Sequence, residues 1–139
     1  MSVEQNKALM RRFYDEVVNG GNLNIVDELA SPDFVDHEAF PGLAVGREGV
    51  KQFFSMLRTA FPDLRMNVDD LIAEGEKAVA RATMTGTHQG EFAGVAATGK
   101  TVSVSTIDIV RFADGKLAEH WGVTDTASMM EQLGALPAT

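Results

Sequence analysis

Carboxylate and imidazole side chains are the groups in this sequence whose types and placement favour chemistry. Asp36 and His37 are adjacent, while Asp108 and His88 lie in segments of alternating apolar residues. A carboxyl group in an apolar cavity has a raised pKa and can act as a general acid or base, and a nearby histidine can share or orient its proton. Asp108, Asp36, His37 and His88 are therefore our candidate catalytic residues. For Asp108 the alternative is a structural carboxylate that is hydrogen-bonded within the core.

Residue alternation within two predicted strands indicates which candidates point inward. In Lys77–His88, His88 has the same parity as the apolar or small residues at positions 80, 82, 84 and 86. Alternate residues of a strand face opposite sides of a sheet, so His88 is predicted to lie inside or at the rim of a cavity. In Thr101–Ala113, an outward Arg111 favours an inward Asp108.

The turn Asp114-Gly115 decides the direction of two further residues, His120 and Trp121. Asp-Gly between two strands is a strong signal for a two-residue hairpin. A regular hairpin pairs Asp108 with Trp121, which places Trp121 inward and His120 outward. A one-residue bulge reverses both directions. The sequence leaves both arrangements open.

The elements that must position these residues are predicted from the period of the apolar pattern. Spacings of three and four predict helices over residues 3–18 and 23–29, from residue 47 to about 60, and after Asp125, with Gly134 and Pro137 at the end of the last helix. A period of two predicts strands. The predicted strands are a short piece at Phe34–His37, followed by Leu64–Glu74, Lys77–His88, Thr101–Ala113 and Lys116–Thr124. This order predicts an α+β half-barrel, in which helices pack on a curved, mostly antiparallel sheet and enclose a cavity.

Aromatic side chains expected around that cavity are the candidate ligand-binding residues. They are Tyr14, Phe40, Phe54, Phe92, His120 and Trp121. Tyr14 lies on the apolar stripe of the first helix, so core packing is its alternative role. No arginine or lysine is expected to clamp an anion there, which favours a small apolar or weakly polar ligand.

Composition restricts the other classes of function. The 139 residues include 12 Lys and Arg, 20 Asp and Glu and no Cys, with a formal net charge of −8. The length predicts a single domain over residues 1–139. No basic stripe is available for nucleic acid, and the apolar runs are too short to span a membrane. The missing cysteines and the lack of an apolar signal-peptide core favour a cytoplasmic protein.

Two short patterns resemble ligand sites without the context that such sites need. Residues 94–101 match G-x-x-x-x-G-K-[ST], the phosphate-loop pattern. A helix must follow that loop, whereas here an alternating strand follows, so we predict no nucleotide site. The three histidines have no ligand-type spacing, so we predict no metal site.

A set of short segments spans nearly the whole chain: Arg12-Phe13-Tyr14, Phe34-Val35-Asp36-His37, Gly49-Val50-Lys51-Gln52-Phe53-Phe54, Phe61-Pro62-Asp63-Leu64, Gly86-Thr87-His88-Gln89-Gly90 and Glu119-His120-Trp121. This set resembles the SnoaL-like polyketide cyclase group of the nuclear-transport-factor-2-like superfamily. The resemblance implies a cone-shaped α+β barrel with a cofactor-free cavity. In that cavity an aspartate closes an aldol ring on a polyketide ester by acid–base catalysis.

The resemblance also places the family's catalytic acid directly after Trp121, where this chain has Gly122. Asp108 or Asp125 would then have to substitute. The other reading of Asp125 is a cap of the last helix. A second route is implied by ketosteroid isomerase-like relatives, which supply a base near Asp36-His37 and an oxyanion donor near Tyr14.

Several kinds of function share this scaffold, so the resemblance leaves the activity open. The main expectation is a cyclase, and the alternatives are a non-catalytic binding module or an isomerase or hydrolase relative. A homodimer is expected as well, because an apolar row on the outer face of a flat sheet invites pairing.

Overall fold

Four α-helices and five β-strands make up residues 2–135, the part of the chain that this computed structural model describes. The helices are α1 (Val3–Arg12), α2 (Val26–Leu29), α3 (Arg47–Ala60) and α4 (Thr126–Leu133). A π-helical segment, Phe13–Asn19, extends α1, and a 3-10 turn, Leu23–Ile25, precedes α2. The strands are β1 (Ala30–Asp36), β2 (Arg65–Glu74), β3 (Lys77–Thr87), β4 (Thr101–Ala113) and β5 (Lys116–Thr124). The predicted α+β class is confirmed.

The first helix carries a reciprocal cap at its start and changes geometry half-way. The Ser2 hydroxyl accepts a hydrogen bond from the Gln5 backbone N–H, and the Gln5 side chain accepts one from the Ser2 backbone. From Phe13 the helix widens into π geometry, a feature often found at functional sites. The apolar spacing predicted one uninterrupted helix, and the change to π geometry at Phe13 was not foreseen.

The sheet order is β1-β5-β4-β3-β2, with β1 parallel to β5 and the other pairs antiparallel. The four long strands form the predicted meander. The first strand begins at Ala30, whereas the sequence predicted it only from Phe34. It includes Pro32, which an edge strand tolerates because its missing N–H removes no bond from a central ladder.

A bulge at Ala118 sets the register between β4 and β5. The pairing shifts by one residue there, so Asp108 pairs with Gly122. The regular hairpin, which pairs Asp108 with Trp121, is therefore wrong, and the bulged alternative is the one observed. His120 consequently shares the inner face with Asp108, and Trp121 lies on the outer face.

The helices cover the inner face of the sheet. On β3 the inward residues Ala78, Ala80, Ala82 and Met84 are all buried, as the predicted parity requires. Asp125 caps α4 by accepting a hydrogen bond from the Ser128 backbone N–H. Pro137, expected beyond that helix, lies outside the described residues. Within residues 2–135 no helix is both long and apolar enough to cross a membrane.

Candidate active site

A cavity of about 360 Å³ lies between the inner face of the sheet and the helices. Its wall is mainly apolar, as is usual for small-molecule sites. The large apolar side chains on it include Met10, Phe13, Phe34, Phe40, Phe53, Phe54, Met66, Met84, Phe92, Met129 and Met130. Its polar side chains are Tyr14, Asp36, Glu38, Thr106, Asp108, His120, Thr124 and Thr126.

Four of these polar residues form a continuous hydrogen-bonded chain. The Tyr14 hydroxyl donates to Asp108 Oδ2 over 2.6 Å. Asp108 Oδ1 lies 2.8 Å from His120 Nε2, and His120 Nδ1 lies 2.8 Å from Asp36 Oδ1. Both nitrogens of one imidazole therefore face carboxylates, and both oxygens of Asp108 are engaged.

Each member of this chain is positioned by a different element. Asp108 lies on β4, and the bulge in β5 turns His120 towards it. Asp36 ends β1 and pairs directly with His120, because β1 runs parallel to β5 at the sheet edge. Tyr14 projects from the π-helical segment of the first helix.

Burial and hydrogen bonding set the protonation states of the chain. Burial by itself lowers the pKa of His120, but the hydrogen bonds to Asp108 and Asp36 outweigh it and raise the pKa to about 10. His120 is therefore an imidazolium at neutral pH. Burial, reinforced by the negative charge of Asp108, raises the pKa of the Tyr14 phenol well above its ordinary value, so Tyr14 stays a hydrogen-bond donor.

A fifth polar group, Glu38, approaches the chain beside Gly122. A Cβ atom on Gly122 would lie 2.3 Å from Glu38 Oε2, 2.8 Å from Asp108 Oδ1 and 3.0 Å from His120 Nε2. Burial raises the pKa of the Glu38 carboxyl; the charge on His120 opposes this rise, and the charges of Asp108 and Asp36 add to it. Sequence reasoning missed Glu38. The signal was the parity of Asp36 and Glu38, which flank His37.

The structure places His37 and Trp121 together on the outer side of the sheet, away from the cavity. Their rings stack with centroids 4.9 Å apart and planes 11° from parallel. His37 Nε2 contacts Glu119 at 2.7 Å, and Arg111 donates to the other oxygen of Glu119 over 2.6 Å. These four residues form the outer cluster. The expectation that His37 and Trp121 lie at the cavity is wrong, since the bulge and the turn after β1 direct them outward.

His88 is fully buried, as its parity predicted, but it does not line the cavity. Its ring packs 5.4 Å from that of Phe61. Its Nδ1 lies 3.0 Å from the Thr98 hydroxyl and accepts the Thr98 backbone N–H over 3.2 Å. The segment that matches a phosphate loop thus wraps around a buried histidine and continues into β4.

The structure brings the other candidate residues together around the cavity. Asp36, Tyr14, Phe40, Phe54, Phe92, Asp108 and His120 all line the cavity. Within residues 2–135 no group of three or more His, Asp and Glu side chains is arranged to hold a metal ion. The arrangement is suited to acid–base chemistry, because an imidazolium, a phenol and several carboxylates meet an apolar space.

The sequence matches the family model for SnoaL-like polyketide cyclase over residues 8–133. The chain belongs to the SnoaL-like polyketide cyclase family. It is 25% identical over 118 residues to nogalonic acid methyl ester cyclase from Streptomyces nogalater, covering 84% of this chain and 88% of that protein.

Solved structures of similar proteins share the fold over almost the full length. TsrD from Streptomyces laurentii is 33% identical with a TM-score of 0.89, covering 98% of this chain and 99% of that chain. AclR from Streptomyces galilaeus, which has been suggested to be a hydroxylase, is 34% identical with a TM-score of 0.85, covering 98% of this chain and 100% of that chain. The predicted SnoaL-like family and its α+β fold are confirmed.

Proposed function

We propose that this chain is a cofactor-independent cyclase that closes a ring on a polyketide ester by proton transfer next to a carbonyl. The observation that carries the proposal is the hydrogen-bonded chain from Tyr14 through Asp108 and His120 to Asp36 on the wall of an apolar cavity. Family membership and the relative that acts as a methyl ester cyclase support it.

The proposed reaction moves one proton out and one proton back. A cavity carboxylate takes a proton from the carbon between two carbonyl groups, and the resulting enolate carbon attacks a second carbonyl carbon of the same molecule. The new alkoxide then takes a proton from the carboxyl group, so the product is an isomer of the substrate. The enolate and the alkoxide each carry negative charge on oxygen. The imidazolium of His120 and the Tyr14 hydroxyl stabilise this charge, as fixed positive and dipolar groups do in sites that exclude water.

Asp108 and Asp36 hold His120 in its charged state and its orientation. The proposal gives no role to His37 or His88, because neither side chain lines the cavity. It also leaves Asp125 out, because that side chain caps α4.

The cavity favours a neutral, largely apolar ligand with carbonyl groups. The largest apolar side chains on its wall are phenylalanines and methionines, which suit flat aromatic or oligoketide skeletons. The charge of His120 is already balanced by two carboxylates, so little attraction remains for an anion.

A non-catalytic binding module is the second candidate, favoured by Gly122 at the position where the family resemblance implies an acid. Such a module would use the same cavity and return its ligand unchanged. An isomerase or hydrolase would instead alter the ligand without closing a ring.

Purified protein incubated with nogalonic acid methyl ester separates these functions by the mass and structure of the product. A cyclase gives a product of unchanged mass with a new carbon–carbon bond, identified by liquid chromatography–mass spectrometry and NMR. Ester hydrolysis adds water and releases methanol, so an acid that is lighter than the substrate by one CH2 indicates a hydrolase, and a gain of one oxygen indicates a hydroxylase. Ligand recovered unaltered, together with a raised melting temperature, supports the binding module and contradicts the cyclase.

We also propose that the outer face of the sheet joins two copies of this chain. Its exposed apolar residues include Ile72, Ile107 and Val123, which are 64%, 47% and 72% exposed. Ile107→Lys is expected to convert a dimer into a monomer in sedimentation experiments. The matched control is Val45→Lys, at an exposed apolar residue outside the strands. A wild-type protein that sediments as a monomer contradicts this proposal.

The lack of cysteine in the sequence supports a cytoplasmic location, which we propose as well.

A further inference from the structure

Three polar groups surround the space that a side chain on residue 122 would occupy. Glu38, Asp108 and His120 each place an atom within 3.0 Å of the position of a Gly122 Cβ, and Glu38 Oε2 is the nearest at 2.3 Å. Because glycine has no side chain, this space is open to the carboxylate of Glu38, which lies in a different part of the chain. That carboxylate belongs to the loop after β1, directly beyond Asp36 and His37.

The other two groups around this space, Asp108 and His120, already form hydrogen bonds with each other and with Tyr14 and Asp36. Asp108 accepts hydrogen bonds at both oxygens, from Tyr14 and from His120. His120 faces carboxylates at both nitrogens. A substrate proton transferred to Asp108, or one taken from His120, would break this chain, and the loss of buried charge-assisted hydrogen bonds is costly.

Glu38 differs from Asp108 and His120 because, among the described residues, its carboxylate has no hydrogen-bond or ion-pair partner. Within residues 2–135 no donor hydrogen-bonds to either of its carboxylate oxygens, and no cation pairs with it; only its backbone N–H is engaged, as a donor to Asp36 Oδ1 over 2.9 Å. The residue as a whole is exposed, but its carboxyl group is partly buried and lines the cavity, so Glu38 lies where the cavity opens. A carboxylate in that position can reach both the ligand and the imidazolium of His120.

We propose that Glu38 is the catalytic carboxylate that exchanges the proton with the substrate, and that Gly122 makes room for it. The inference rests on the cyclase function proposed above and names the base for that reaction. Asp108 and Asp36 are then positioning residues, which act on the reaction through His120.

The step balances with Glu38 as the only group that changes protonation. Its carboxylate removes a proton from the substrate carbon, and Glu38 becomes a neutral carboxylic acid. The electron pair of the broken C–H bond stays on the substrate, which becomes an enolate. The enolate carbon bonds to the second carbonyl carbon, and the π pair of that carbonyl moves to its oxygen. The Glu38 acid then returns its proton to this alkoxide.

The decisive experiment removes the carboxylate from position 38 and returns it at position 122. Glu38→Gln is expected to lower kcat for nogalonic acid methyl ester about 100-fold with KM little changed, as loss of a general base does. The double variant Glu38→Ala with Gly122→Asp is expected to recover at least 10-fold over Glu38→Ala alone. Its matched control, Glu38→Ala with Gly122→Asn, has the same shape without the charge and is expected to recover nothing.

Gly122→Ala is a second variant that keeps every functional group. Its methyl group would lie 2.3 Å from Glu38 Oε2 and 2.8 Å from Asp108 Oδ1. The Glu38 carboxylate is the far end of a flexible side chain and can move away, whereas Asp108 is held at both oxygens and can shift only slightly. The fold is therefore expected to persist by circular dichroism while kcat falls at least 10-fold, since small displacements of a reacting group are costly to rate.

The pH profile provides a readout that a structural role would not give. The wild-type value of kcat/KM is expected to fall towards low pH as Glu38 becomes protonated, and Glu38→Gln is expected to lose this limb. The charged groups that face Glu38 are Asp36, Asp108 and His120, and all three remain in that variant.

The outcomes separate this inference from the proposed function. A Glu38→Gln protein that keeps more than a third of wild-type kcat overturns the role of Glu38 and leaves the cyclase intact. Equal rescue by aspartate and asparagine at position 122 overturns it as well. Wild-type protein that closes no ring overturns the cyclase and the role of Glu38 together.

Discussion

The two faces of β5 carry the same residue types and lead to different chemistry. On the inner face, His120 lies 2.8 Å from Asp36 and 2.8 Å from Asp108, and its side chain is 21% exposed. On the outer face, Glu119 lies 2.7 Å from His37, whose side chain is 40% exposed. A histidine–carboxylate pair is therefore present on both sides of one strand.

The two histidine–carboxylate groups differ in their exposure to water and in the number of charged partners around each histidine. Inside, burial by itself lowers the pKa of His120, but the hydrogen bonds to the two carboxylates of Asp108 and Asp36 outweigh it and raise the pKa to about 10. Outside, Glu119 is shared between His37 and Arg111, whose hydrogen bonds lower the pKa of its carboxyl below its ordinary value. The inner group lines the mainly apolar cavity, whereas neither His37 nor Glu119 does.

The largest expected difference in kcat is between two variants that each neutralise one carboxylate, Asp108 on the inner face and Glu119 on the outer face. Asp108→Asn removes a hydrogen-bonded charge from His120, and we expect kcat for ring closure to fall at least 100-fold. Glu119→Gln, the matched change on the outer face, is expected to leave kcat within twofold of wild type. Steady-state kinetics on both variants measure the contrast. Equal losses in the two variants would show that the inner chain has no special role.

A second contrast concerns the pH dependence of stability. The pKa of His120 is raised to about 10 on folding from an ordinary value of 6.5. Its contribution is therefore complete below about pH 6.5 and is lost as the pH rises through about 10, with a slope of up to ~1.4 kcal/mol per pH unit. Urea unfolding between pH 6.5 and 9.5 is expected to show a falling free energy of unfolding.

The Glu119→Gln variant serves as the control, because it leaves both partners of His120 in place and should show the same fall. Imidazole ¹⁵N NMR gives an independent check, since His120 is expected to remain doubly protonated at pH 8. A neutral His120 ring at that pH contradicts the assignment.

The third effect is smaller and concerns the donor at the far end of the chain. Tyr14→Phe removes the hydrogen bond to Asp108 but keeps the ring, so we expect kcat to fall about 10-fold and the free energy of unfolding by about 1 kcal/mol. Kinetics and urea unfolding measure the two. An unchanged kcat would restrict Tyr14 to core packing, the alternative role that its helical spacing suggested.

Much of this fold could be predicted from periodicity alone. The change from a period near 3.6 to a period of two marks the start of the sheet at Leu64, and β4 and β5 have the predicted bounds Thr101–Ala113 and Lys116–Thr124. The parity of Asp108 also follows from the sequence, because Arg111 on the same strand must face outward.

The site itself depends on features that local patterns do not encode. A single extra residue, Ala118, decides whether His120 or Trp121 faces the cavity, and the energy of a bulge depends on the whole hairpin. The parallel pairing of β1 with β5 brings Asp36 to His120 across more than 80 residues of sequence, so no spacing rule could show it. The same pairing places Glu38, two residues after Asp36, close to His120.

The smallest effect tests an isolated hydroxyl on the inner face. Thr106 Oγ1 is buried in the cavity wall, and no hydrogen-bond partner for it is found within residues 2–135. Burying an unpaired hydroxyl is unfavourable, so Thr106→Val is expected to raise the free energy of unfolding by about 1 kcal/mol. The outward control is Thr83→Val, which loses an exposed hydrogen bond to Asp69 and is expected to change stability by less than about 0.5 kcal/mol. A stabilised Thr106→Val protein with a raised KM for the ester would show that the hydroxyl is kept for the ligand. An unchanged KM would mean that the ligand does not use this group, and the polar contacts would then be confined to the end of the cavity where Asp108 and His120 meet.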